Sequence, residues 1–154
     1  MKNLSIVLIA VAIGIFFTSC EKIVGDGLSV TEHRPISNFT SLASAISADV
    51  IYKQGPAYTV EITAQQNIIN VIETNVVGSE LVIKFKDFVR VKDHERITVN
   101  VSSPTINGLR ISGSGNITAA DSIISDNMAL TLSGSGNIRL SKLVTSSLDA
   151  NISG

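Results

Sequence analysis

The chain holds one cysteine, two histidines, three prolines and no tryptophan in 154 residues. A single thiol, Cys20, rules out an internal disulfide. The two histidines offer no metal or acid–base cluster. His33 lies in a polar segment near the start. His94 stands between Asp93 and Glu95 in the charged stretch KDHER, where adjacent side chains point in alternating directions. Charge is sparse and mixed, with 12 basic and 13 acidic residues and no block of one sign, which argues against a nucleic-acid surface. No long stretch repeats at helical spacing. The longest apolar run, Leu4 to Phe17, is shorter than the roughly 20 residues needed to cross a bilayer as a helix.

That run follows Lys2 and Asn3 and ends in FFTSCE. A short basic start, an apolar run and then small residues mark a secretory signal, here residues 1–19. Thr18 and Ser19 before Cys20 resemble the bacterial lipobox, whose cysteine is lipidated and becomes the mature N-terminus. Phe17 takes the place of the usual aliphatic residue. Acyl chains hold a protein on a membrane because each buried methylene contributes about 0.8 kcal/mol. The expectation is a lipidated Cys20, a polar tether over residues 20–33 and a body over 34–154 that sits on a membrane without spanning it.

The part of the chain after the signal is long enough for one domain with its own core. It is rich in Val, Ile, Ser, Thr, Asn and Gly, the composition of strands and turns. Tyr58, Val60 and Ile62 alternate with polar residues after the turn QGPA. Leu81, Ile83 and Phe85 do so after Gly78-Ser79, and Ile97, Val99 and Val101 in RITVNV. Such alternation marks half-buried strands. The stretch NIINVIETNVV reads as strand as well.

Two segments then nearly repeat: LRISGSGNITA from Leu109 and LTLSGSGNIRL from Leu130. Leu109, Ile111, Ile117 and Ala119 match Leu130, Leu132, Ile138 and Leu140. The outward Arg110 and Thr118 match Thr131 and Arg139. Ile152-Ser153-Gly154 opens a third copy, at nearly the same spacing from Leu132-Ser133-Gly134. A fixed period of this size predicts an all-β solenoid with coils of about 20 residues, like stacked on like. Gly113, Ser114, Gly115 and Asn116, with Gly134, Ser135, Gly136 and Asn137, are then corners of successive coils. Glycine is expected there for its access to unusual backbone angles, with Ser and Asn bonding to the backbone and to their copies.

Sharper readings of the corners fail on spacing. Calcium-binding rolls have a nonapeptide repeat and need carboxylates, where this chain has Asn116 and Asn137. A phosphate loop needs Gly-Lys-Ser/Thr ahead of a helix, and a dinucleotide site needs GxGxxG ahead of one. A leucine-rich repeat would put Asn where Ser135 stands. No serine has a nucleophile-elbow context. Asp121, Asp126 and Asp149 do not recur in register, so they build no carboxylate ladder of the kind a polysaccharide-cleaving β-helix would use. No catalytic residue, metal or cofactor is expected.

The paired SGSGNI motifs, with RPISNFTSLASAISADVIYKQG before them, resemble the head GIN domain family, also called the auto-transporter adhesin domain, as found in Bacteroidetes-type bacteria. The likeness runs from about Arg34 to Gly154. It implies a right-handed parallel β-helix-like fold and carries no ligand residues with it. The functional expectation is a lipid-anchored, non-enzymatic protein of the cell envelope, at the outer membrane, adhering to a glycan or protein on a surface; the oligomeric state is left open. A periplasm-facing structural or envelope-stress role is the alternative, and a polysaccharide-acting enzyme the third. Family members usually continue through further GSG copies; the chain is expected to continue past Gly154 or to pair there with another molecule, and to be least stable after about Leu140.

Overall fold

A computed structural model describes residues 20–154; the expected signal segment, 1–19, lies outside the described residues. The fold is all-β apart from one helical turn. The strands are β1 (Glu21–Val24), β2 (Ser29–His33), β3 (Ser41–Ser44), β4 (Asp49–Gln54), β5 (Thr59–Gln65), β6 (Ile72–Val77) and β7 (Glu80–Phe85). Then come β8 (Val89–Lys92), β9 (Thr98–Ser103), β10 (Gly108–Ile111), β11 (Asn116–Leu132) and β12 (Asn137–Ile152). The turn α1 (Gln66–Ile69) falls in the stretch expected as strand. There Ile68 and Ile69 are both buried, which successive residues of a one-sided strand cannot be.

One large sheet runs β2-β5-β9-β4-β11-β10-β3-β7-β6, with β12 added on β11. It curls into an open half-barrel because β11 turns a corner. The start of β11, Asn116–Thr118, pairs with β4, and its end, Ala129–Leu132, pairs with β10. Parallel registers stack like residues across strands distant in sequence. Leu81, Leu42, Leu109 and Leu130 form one row; Val99, Val50, Ile117 and Ile138 form another. All but the two in the last repeat, Leu130 and Ile138, are buried, and these rows line the core.

Two features depart from the expected uniform coil. The β2–β5, β5–β9 and β6–β7 pairs are antiparallel, so hairpins flank the parallel stack. The segment expected as a loose tether is strand-paired. Its first half forms a two-stranded parallel ribbon with β8, and its second half, β2, closes against β5. Ile23 and Val91 of the ribbon pack against the core, which is the physical reason the segment is held.

β12 pairs with β11 alone among the described residues. The inward row Ile83, Ser44, Ile111, Leu132, Ile152 passes from buried at Ile111 to 73% exposed at Ile152. The register expected for the third copy is the one observed.

Candidate functional site

The corners that stand out in the sequence are stacked directly in the structure. The loop 45–48, between β3 and β4, lies under the first SGSGN, and the first SGSGN lies under the second. The glycine requirement has a different origin from the one expected. None of the corner glycines has a positive φ; among glycines of the described residues, only Gly27 and Gly78 do. Instead the backbones pack against one another. A Cβ on Gly115 would overlap the Ala48 and Ile46 carbonyl oxygens, and one on Gly136 would overlap the Gly115 carbonyl oxygen. Close approach, not turn geometry, selects glycine here.

Beside the corners runs a polar ladder. The Asn137 side chain donates Nδ2–H to Asn116 Oδ1 at 2.9 Å, and Asn116 donates Nδ2–H to Asp49 Oδ1 at 2.7 Å. Arg96 Nε closes the ladder on Asp49 Oδ2 at 3.3 Å. Arg96 is exposed, so this ion pair contributes at most about 1 kcal/mol. Corner and loop 93–96 enclose a cleft of about 220 Å³ lined by Asp49, His94, Arg96, Ser114 and Asn116. His94 Nδ1–H donates to the Glu95 carbonyl oxygen at 2.6 Å, which orients the ring. The cleft therefore offers an imidazole, a guanidinium, a carboxylate, a hydroxyl and an amide. That set suits hydrogen bonding to hydroxyl-rich molecules. It has no nucleophile held by a base. Among the described residues no three His, Cys, Asp or Glu side chains gather as metal ligands.

Asp49 and Arg96 do not stand out in the sequence. A signal for the first exists: SLASAISADVIY aligns on GLRISGSGNITA without a gap, so that Leu42 falls opposite Leu109 and Asp49 opposite Asn116. A second polar strip lies on the outer face of the stack, where Arg110 reaches over β3 to form an ion pair with Glu80. Ser114 lines the cleft, whereas Ser135 lies on the second corner and is exposed. Cys20 is exposed at the head of β1, away from the corners in sequence, and the Glu21 N–H beside it donates to the Phe88 carbonyl at 2.8 Å.

The sequence profile of the family described as "Putative auto-transporter adhesin, head GIN domain" matches residues 38–154. Among curated proteins none matches the chain. Solved structures share the fold. A "putative adhesin" from Bacteroides fragilis superimposes with a TM-score of 0.79 at 19% identity, covering 85% of this chain and 62% of that one. A "putative lipid binding protein" from Parabacteroides distasonis gives 0.73 at 21%, covering 84% and 65%. A "putative adhesin" from Parabacteroides merdae gives 0.70 at 20%, covering 83% and 62%. The chain thus spans less than two thirds of the length of each.

Proposed function

The chain belongs to the head GIN domain family, and from that premise we propose that it is a non-enzymatic domain of the bacterial cell envelope, anchored by a lipid on Cys20 and holding its stacked corners out to a glycan. The observation that carries the reading is the ladder Asp49–Asn116–Asn137 beside the Arg96 and His94 cleft. It stacks one carboxylate and two amides at strand spacing, about 4.8 Å, and so offers a regular row of polar groups to an extended, hydroxyl-bearing chain. The adhesin-named neighbours support the same reading at the level of fold. A stacked solenoid with coils of about 20 residues belongs to this proposal. Its support is the parallel pairing of β11 with β12, in which Asn116 meets Asn137 and Leu132 meets Ile152.

Protease shaving of intact cells, with adhesion to immobilised polysaccharide measured in parallel, tests the proposal. Display and adhesion predict that shaving removes the protein and lowers binding, and that Arg96→Ala lowers binding without loss of the protein. A chain protected from protease in intact cells would support the periplasm-facing alternative instead.

A further inference from the structure

We infer that the outer face of the β1–β8 ribbon is a membrane-docking surface, built to lie on lipid phosphates with Phe88 entering the acyl boundary beside Cys20. The inference rests on the anchoring reading for its orientation only. Parallel register places Lys22 beside Arg90 and Val24 beside Lys92. Ile23 and Val91 turn inward onto the core, so alternation sends Lys22, Arg90, Val24 and Lys92 outward. That face carries three cations, one exposed valine and no anion. None of the three cations forms an ion pair among the described residues. Nearby Asp87 is engaged by Lys84 at 3.0 Å; Glu21 is exposed but falls on the alternation opposite to Lys22, and Asp93 lies just past the strand.

Phe88 is the second, independent sign. It is 68% exposed and has a φ of 62°, a conformation that bulky side chains avoid. The residue gains little from the core and strains its own backbone, a combination found where a side chain is kept for contact with something else. Its carbonyl receives the Glu21 N–H, so the Phe88 backbone lies next to the residue that follows Cys20. Unpaired cations together with an exposed aromatic residue match a bilayer surface, in which phosphates lie above acyl chains. Because the ribbon is part of the folded body, a lipid on Cys20 would bring this face, and no other, against the membrane.

The absence of native tryptophan makes the test direct. In the full lipidated chain, purified and reconstituted into phospholipid vesicles, Phe88→Trp introduces the sole indole. Its emission is expected to shift to the blue and to be quenched by brominated phosphatidylcholine, whereas Ile152→Trp on β12 stays water-like. Water-like emission from Phe88→Trp in protein that sediments with membranes would overturn the inference while leaving the anchor intact, and so would equal quenching at both positions. A chain that fails to sediment indicts the anchor instead, and the face is then decided by a second measurement. The core residues all lie between Phe39 and Met128, so residues 20–154 with Cys20→Ser retain the whole core and carry no lipid. This body should float with phosphatidylglycerol-containing vesicles in a salt-sensitive manner. Replacing Lys22, Arg90 and Lys92 together by serine should weaken that binding on the order of 100-fold, about fivefold per cation. No binding to the anionic vesicles, or equal binding by the triple variant, would overturn the proposal.

Discussion

Gly115→Ala isolates what the corners need. The added carbon would lie against the Ala48 nitrogen and carbonyl oxygen and the Ile46 carbonyl oxygen, all backbone atoms that cannot rotate aside. Making room lifts one corner from the other. Two bonds across that contact would lengthen: the Asn116 N–H to the Ala48 carbonyl, 2.8 Å, and the Asn116 side chain to Asp49, 2.7 Å. Overpacking costs about 1–3 kcal/mol, and each weakened hydrogen bond about 0.5–1.5 kcal/mol. Alanine returns about 0.4–1 kcal/mol by stiffening the unfolded chain. The net expectation is a loss of about 3 kcal/mol. Gly55→Ala is the control. It too lacks a positive φ, but a Cβ there meets nothing within 4 Å, so it should gain about 0.4–1 kcal/mol. Urea unfolding of the two variants against wild type measures both. A Gly115→Ala loss under about 0.5 kcal/mol, within the range of ordinary surface changes, would refute the stacking explanation of the repeated glycines.

Ile111→Ala, at a fully buried position, should cost about 2–5 kcal/mol, whereas Thr131→Ala on the outer face should stay within about 0.5 kcal/mol; comparable losses in urea would mean the strand register is wrong. Cys20→Ala should abolish incorporation of a fatty-acid analogue, and equal labelling of wild type and variant would remove Cys20 as the anchor. Burial raises the Tyr52 phenol above its ordinary value of 10.0, partly opposed by its bond to Ser103. The unfolded chain therefore releases this proton first, and stability contributed by the neutral phenol, complete below pH 10.0, should fall as pH rises above it. Tyr52→Phe should flatten that alkaline loss, and an unchanged pH profile would count against the assignment.

The repeats are plain in the sequence because both corners keep the same five letters, and close backbone contact admits little else there. The copy beneath them is hidden for a complementary reason. Below loop 45–48 lies the 93–97 segment and not another tight corner, so Ile46 and Ala48 are tolerated where later coils need glycine. Ser44 likewise interrupts the aliphatic row at the position of Ile111. Strand alternation locates β5, β7 and β9, but alternation is silent on direction, so the antiparallel hairpins flanking the stack are not legible in it. The polar run after Cys20 reads as a tether because only Ile23 of β1 faces inward, and its partner Val91 lies far along the chain. Asp49 and Arg96 escape notice since each gains meaning only from a neighbour on another strand.

The order in which strands lie side by side has a kinetic consequence. β3 pairs with β7 and β10, neither adjacent to it in sequence, and β4 pairs with β9 and β11. Closing those distant pairings costs loop entropy before any core is gained, which makes the first stage slow. Once that base exists, β12 has only to lay itself along β11, a neighbour one period back. The molecule should therefore fold as a slow seed followed by fast, stepwise growth, with the repeats reading their register from a surface already formed.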